Sequence, residues 1–302
     1  MYLRKKMVNQ KIALCLGDGC GLGNLLQALP AVQALHAMGK SVDLFLSGFM
    51  YADIPAVVRG QPYVRGIYEN TYDNDEAMYD VCIVSFLSDH RVRNSKKYLK
   101  LKPDWKRRSE YEAYCAAAQK LGAKSFRRPL SLNISQRDFR LEPLSVLIHA
   151  GCTQREYWER RKWTHYQELI DLLVAEGLHI YCCGKGDEKI DHPRVTAFTD
   201  LPIQETAALI NQCDLFLSND SGLMHLAAAL QKKQIAIFTA TSDKKSGPYY
   251  NPRARVITPR LACYPCYGKN EAWDRCNDWI CRDAISVAQV YDVIKKVMDE
   301  HG

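Results

Sequence analysis

Short apolar, β-branched runs alternate with segments of helical period along nearly the whole chain, the pattern of parallel sheets joined by crossover helices. In the first half "KIALCL" (11–16), "SVDLFL" (41–46) and "YDVCIVSF" (79–86) read as strands. Residues 24–38 read as the first crossover helix and "SEYEAYCAAAQKLGA" as a second, closed by Gly122. The second half restarts the rhythm. "SVLIHAG" and "LHIYCCG" are strands flanking "THYQELIDLLVAEG", a helix with Thr164 as N-cap and Gly177 past its end. "IQETAALINQC", "DLFLSND", "SGLMHLAAALQ" and "QIAIFTA" continue the alternation. The polar segment "RRPLSLNISQRDFRLEP" (127–143), with two prolines, separates the halves and places a domain boundary near residue 143. The expected fold is α/β, with domains 1–143 and 144–302. Two such sheets would hold a ligand at the carboxyl ends of their strands, in a cleft between them.

Composition narrows this only a little. A length of 302 residues with 47% hydrophobic content suits two domains. Forty-one Lys and Arg against 34 Asp and Glu give a formal charge of +7, which suits an anionic substrate. The basic run "SKKYLKLKPDWKRR" (95–108) reads as a solvated loop or as a docking surface for an anionic acceptor or a membrane face. No nucleic-acid module accompanies it, and nucleic acid is not an expected partner. The early apolar run "IALCL" is too short for a signal-peptide core, and no window reaches the roughly 20 apolar residues of a spanning helix. The expectation is a cytoplasmic protein, with peripheral contact at the inner membrane as an alternative.

"LGDGCGLGNLLQALP" (16–30) carries glycines at 17, 19, 21 and 23 directly ahead of a helix. A dinucleotide fingerprint needs G-x-G-x-x-G, but the third glycine position holds Leu22, Asn24 or Leu26 in the three registers. A dehydrogenase is therefore disfavoured. In "DLFLSNDSGLMHLAAAL" (214–230) a strand ends in four small polar residues and Gly222, and an apolar helix follows at once. Such a turn is either an ordinary capped βα connection or an anion site, because free N–H groups and the positive end of the helix dipole meet there. "GCTQREYWERRKWTHYQEL" (151–169) places Arg155, Arg160, Arg161 and Lys162 after a strand, where a diphosphate would sit. "CCGKGDE" ends the next strand with Glu188, a carboxylate able to accept from a ribose hydroxyl.

Twelve cysteines are many for a reducing compartment. Eight lie scattered, mostly in apolar segments, and four form the short pattern Cys263-x2-Cys266 and Cys276-x4-Cys281. The four could complete a tetrahedral zinc or iron site of structural type; disulfides or free thiols are the alternatives.

Together "SNDSGLMHLAAAL", "HAG" with "RKW", "GKGDE", "AIFTATSDKKSGPYY" and the opening "GLGNLLQALPAVQAL" resemble family 9 glycosyltransferases, the bacterial heptosyltransferases. The resemblance implies a GT-B fold, two Rossmann-like domains facing a cleft, the first for the acceptor and the second for a nucleotide-diphosphate sugar. It implies inversion at the sugar with no catalytic metal, ADP-heptose as donor, and a glycan, lipopolysaccharide core or protein as acceptor. Donor-binding residues carried over are Gly23, Asn24, Thr153, Glu188, Asp220, Ser221, Gly222, Leu223 and His225, with Lys162 stabilising the departing phosphate. Part of the family holds iron on similar cysteines, here Cys263, Cys266, Cys276 and Cys281. The family's proposed base, an Asp, falls at Asn24, whose amide cannot accept a proton at neutral pH. Asp18 on the same loop is the substitute, or an ordinary turn residue. Two rival functions remain: a nucleotide-sugar-binding scaffold without turnover, and a GT-B nucleotide-sugar epimerase.

Overall fold

The computed structural model describes residues 10–17, 20–46, 53–69, 78–86, 88, 91–101, 109–126, 129–152, 156–267 and 273–300. The chain divides into two compact units, 1–134 and 135–302. Residues 135–143 lie along the second unit because their polar backbone is satisfied there. Ser135 N donates to Gln204 O, Phe139 N to Gln212 Oε1 and Glu142 N to the Tyr181 hydroxyl.

In the first unit the apolar runs become β1 (Lys11–Leu16), β2 (Ser41–Leu46), β3 (Gly66–Glu69), β4 (Val81–Val84) and β5 (Tyr98–Lys100). They form one parallel sheet in the order β3-β2-β1-β4-β5. The run expected as a strand over 79–86 is regular only over Val81–Val84, and the basic run supplies edge strand β5 before passing, at residue 102, outside the described residues. Asp43 interrupts the apolar β2 yet is fully buried. It is satisfied by the Arg65 guanidinium and by the Tyr79 hydroxyl at 2.6 Å.

Helix α1 (Leu22–His36) follows the glycine-rich turn, buried on almost every side, and packs on α2 (Glu110–Lys120). Ser109 and Glu112 close a capping box on α2. Glu110, in contrast, belongs to the stripe that continues at Ala113, Tyr114 and Ala117, and so it is carried into the α1–α2 interface. There its carboxylate accepts from Asn24 Nδ2 at 3.1 and 3.0 Å, from Gln27 Nε2 at 3.3 Å and from the Tyr114 hydroxyl at 3.4 Å. Asn24 Oδ1 in turn accepts from Gly21 N at 2.9 Å. The amide that opens α1 is thus committed at both ends.

The second unit follows the same logic with one more strand. Its elements are β6 (Ser145–His149), α3 (Tyr166–Ala175), β7 (His179–Gly184), β8 (Val195–Thr199), α4 (Ile203–Gln212), β9 (Leu215–Asn219), α5 (Gly222–Ala229), β10 (Gln234–Ile237), the single turn α6 (Asp243–Ser246), β11 (Ala254–Ile257) and α7 (Val287–Asp299). The sheet is parallel in the order β11-β10-β9-β6-β7-β8. Its core joins Val146, Ile148, Leu215 and Leu217 to Leu169 and Leu173 of α3 and to Val290, Ile294 and Val297 of α7. Trp163 ties the two helices together, its indole N–H donating to Ile285 O at 2.8 Å. Thr164 is not the cap of α3. Its hydroxyl turns away to Asp283, and the helix begins after His165 without a side-chain cap.

Glu110 makes stability depend on pH. Burial pushes its carboxyl up to about 7 from an ordinary 4.5, against the hydrogen bonds of Asn24, Tyr114 and Gln27. Between those values the unfolded chain ionises while the folded chain keeps its proton, so stability falls as pH rises and levels off above pH 7. Glu110→Gln keeps an acceptor and removes the titration. The variant is expected to gain about 2–3 kcal/mol on the wild type between pH 4.5 and 7.5. Urea unfolding across that range checks it, and parallel curves for the two proteins would contradict the assignment.

Candidate functional site

In the second sheet the chain builds outward in opposite directions from β6 and β9, which lie side by side with His149 opposite Ser218. Ligands of open α/β sheets bind outside the carboxyl ends of the strands at such a switch point. The residues at those ends are His149 on β6 and the segment Asn219, Asp220, Ser221 between β9 and α5.

Asn219 fixes the backbone around the point. Its Oδ1 accepts from Trp163 N at 3.1 Å and from the Tyr166 hydroxyl at 3.0 Å, while its Nδ2 donates to Ala150 O at 2.6 Å and Gly151 O at 3.4 Å. One buried amide therefore holds the turn after β6, the start of α3 and the end of β9 in register.

Asp220, also buried, accepts from the Thr241 hydroxyl at 2.6 Å. Arg161 Nε stands 3.7 Å from the same carboxylate, and its guanidinium lies over the Trp158 ring at 3.7 Å from the centroid. Lys162 pairs with Glu159 at 2.7 Å. Burial opposes its charge, but Glu159, Cys152 and Glu188 outweigh that and hold its ammonium above the ordinary lysine value. These two cations and the first free N–H groups of α5 can together stabilise negative charge.

Ser221 caps α5, its Oγ accepting from Met224 N at 3.3 Å, and the same oxygen lies 3.1 Å from His149 Nδ1. His149 Nε2 faces Glu188 Oε2 at 3.4 Å. Burial works against ionisation of Glu188, but His149, the Lys185 N–H at 2.8 Å and nearby Lys162 overcome it and keep the carboxyl below its ordinary value. His225 is buried on α5. Burial lowers its imidazole to about 4, so the ring is neutral at pH 7. The Tyr250 hydroxyl donates to His225 O at 3.1 Å, so the Nδ1–H of His225 donates to that hydroxyl, also at 3.1 Å.

The structure thus brings Lys162, Glu188, Asp220, Ser221, Gly222, Leu223 and His225 into the second unit around α5, with Gly222 and Leu223 half-buried at its first turn. Gly23 and Asn24 belong to α1 of the first unit. Asp18 and Thr153 lie outside the described residues.

Cysteines 263, 266, 276 and 281 are all free thiols, and among the described residues no group of three or more His, Cys, Asp or Glu is placed to hold a metal. Cys276 Sγ is directed instead to Asp278 Oδ1 at 3.4 Å, and Cys266 Sγ to Ala240 O at 3.8 Å. The four sulfurs still act on one another. Burial pushes the Cys281 thiol up to about 11, with Cys266, Cys276 and Cys263 adding to the rise.

Sequence reading gave no role to His149 or Glu110, and took Asn219 only as one of four polar residues able to cap the following helix. His149 carried a signal, a polar residue ending an apolar strand in "SVLIHAG", and Glu110 carried one as a charge in phase with an apolar stripe. Asn219 carried none beyond its place in a turn.

Replacing Asn219 by Asp sets carboxylate oxygens against the Ala150 and Gly151 carbonyls. It is expected to cost about 2–4 kcal/mol at pH 7, by the loss of charge-sensitive buried hydrogen bonds. Denaturant unfolding of the purified variant measures this, and a loss under about 1 kcal/mol would show that the amide is not the organising contact.

Comparison with known proteins bears on the fold and on the family. Lipopolysaccharide heptosyltransferase 2 of Salmonella typhimurium is 29% identical over 175 residues, 48% of this chain and 50% of that protein. The chain's matches span only about a fifth to a half of the length of its curated relatives. Among solved structures, a family 9 glycosyl transferase from Veillonella parvula superposes with a TM-score of 0.76 at 15% identity, covering 97% of this chain and 98% of that one. The dodecameric iron-containing heptosyltransferase TibC of enterotoxigenic E. coli, solved in complex with ADP-D-β-D-heptose, gives 0.70 at 18% identity over 96% and 76% of the two chains. These likenesses show the fold, two parallel-sheet α/β units of GT-B type. The sequence model of glycosyltransferase family 9 (heptosyltransferase) matches residues 116–276, more than half of the 302 residues, and the chain belongs to that family.

Proposed function

We propose that the chain is an inverting glycosyltransferase that moves a heptose, or a related sugar, from an ADP-linked donor to a hydroxyl on a glycan, a lipopolysaccharide core or a protein. The observation that carries this reading is the cluster at the β6/β9 switch point, where Arg161, Lys162 and the start of α5 gather beside Glu188. TibC, of similar fold, binds ADP-D-β-D-heptose. In the reading, the acceptor oxygen bonds to the anomeric carbon as the bond from that carbon to the β-phosphate oxygen breaks. The electron pair leaves on the diphosphate, where Lys162 and the N–H groups at the start of α5 receive the charge. Glu188 accepts from a ribose hydroxyl. Asp18, on the glycine-rich turn, takes the proton that the acceptor hydroxyl loses. Acceptor recognition falls to the first unit.

A second reading rests on Asn24. Its amide, committed to Gly21 and Glu110, leaves no base at that position, which favours a nucleotide-sugar-binding protein without transfer.

Calorimetric titration with ADP-heptose, UDP-sugars and GDP-sugars separates the donors, and only ADP-heptose is expected to bind at micromolar level. With an acceptor found, Lys162→Ala should lower turnover by about 10²–10³-fold while leaving ADP affinity within about tenfold. Unchanged turnover would remove Lys162 from the leaving-group role, and binding without turnover on any acceptor would favour the second reading.

Cys263, Cys266, Cys276 and Cys281 are further proposed to hold one structural zinc or iron. Four thiols within electrostatic reach suit a soft cation, whose charge would reverse their mutual repulsion. Such an ion would tie the segment around Trp273 to the turn that carries Cys263 and Cys266. Elemental analysis of the purified full chain should find about one metal per chain, lost in a Cys266→Ser, Cys281→Ser double variant. Equal metal content in both proteins would refute the site.

A further inference from the structure

Glu188, His149 and Ser221 form a carboxylate–imidazole–hydroxyl line across the switch point, and the donor reading assigns no part in it to His149. All three are buried or nearly so, with side-chain exposures of 6% for His149 and 7% for Glu188. The glycines beside the line fix the carboxylate. A Cβ on Gly151 would fall 2.1 Å from the Glu188 carboxyl carbon. One on Gly184, whose φ is +139°, would fall 2.5 Å from Oε2. Glu188 therefore occupies a notch that exists only because both neighbours lack side chains. With the Lys185 N–H behind it, the carboxylate stays against the ring.

Hydrogen-bond arithmetic then restricts His149. An ionised Glu188 can only accept, so Nε2 carries a hydrogen and Nδ1 is the one site free to change. When the ring is neutral, Nδ1 accepts, and the single proton of the Ser221 hydroxyl turns inward to meet it. When the ring is cationic, Nδ1–H donates to Ser221 Oγ, which already accepts from Met224 N. Both lone pairs of the oxygen are then occupied. Its proton must point away from His149 and α5's own backbone, toward whatever lies ahead of the helix.

We propose that His149 is a positioning residue that takes up one proton when a nucleoside diphosphate binds ahead of α5, and so turns the Ser221 hydroxyl outward as a donor to that anion. The inference rests on the donor reading above and adds to it a proton-linked change in the site. The proton comes from solvent and goes to His149 Nδ1; no covalent bond changes. Among the described residues, the charged and titratable groups around this corner are Glu188, Lys162, Arg161, Glu159, Asp220 and the Cys152 thiol. Arg161 and Asp220 pair with each other, as do Lys162 and Glu159, which among the described residues leaves Glu188 as the carboxylate in direct contact with the ring. The imidazolium is thus balanced by a charge already in place.

The test is calorimetry of ADP binding to the full chain at pH 7.5 in two buffers of different ionisation enthalpy, which counts the protons exchanged. Proton changes on ADP itself are common to all variants and cancel in the comparison. The wild type is expected to take up more protons per ADP than His149→Gln, whose amide offers no titrating site. Glu188→Gln serves as a second variant, independent of whether His149→Gln folds. With a neutral amide facing Nε2 the cation is no longer favoured, and the extra uptake should disappear there too. A wild-type proton count retained in either variant overturns the proposal while leaving the donor reading intact. Failure of ADP to bind the folded wild type overturns both.

Discussion

The second unit is organised by one side-chain amide. Asn219 ends β9 and spends both of its polar atoms on backbone and side chains of the two segments that must meet there, 150–151 and 163–166. A parallel sheet alone sets strand order and register, but it leaves the loops at the carboxyl ends undetermined. A buried amide with four partners removes that freedom, because any displacement leaves donors or acceptors unpaired in a dry environment. The placement of Lys162, Ser221 and His149 follows, since each lies within a few residues of one of those contacts.

The two units share a topology but differ at their switch points. In the second, cations, a helix N-terminus and an ionised carboxylate gather, a place suited to an anion. In the first, the glycine-rich turn is backed by Asn24 and by Glu110, a carboxyl that burial holds near neutrality. The two switch points thus differ in charge although the sheets around them are wound alike.

Strands β1 and β2 were legible to the residue because they are central strands buried on both faces, which require continuous apolar runs. Strands β3, β5, β8 and β11 were not, and the reason is their position. Lying toward or at the sheet edges, they are short and half-exposed, so polar residues such as Lys100, Thr196 and Arg255 dilute the pattern. Thr164 had the right residue type for a cap but a better partner in Asp283, 119 positions away in the chain. The motif from Asp220 to His225 could be read because its chemistry is local to one βα turn. Glu110, His149 and Asn219 could not, since what gives each its meaning is a partner more than 35 residues away in the chain.

The bond from Trp163 to Ile285 has a wider bearing. Trp163 follows Lys162 directly and shares Asn219 with the rest of the site, while Ile285 introduces α7, whose Val290, Ile294 and Val297 complete the sheet's core. The last helix is therefore a buttress of the strand-end face around the switch point and not an appendage. Trimming or fusion there would be transmitted to the segment that carries Lys162 through a single indole, which makes the far end of the fold a remote handle on the switch point.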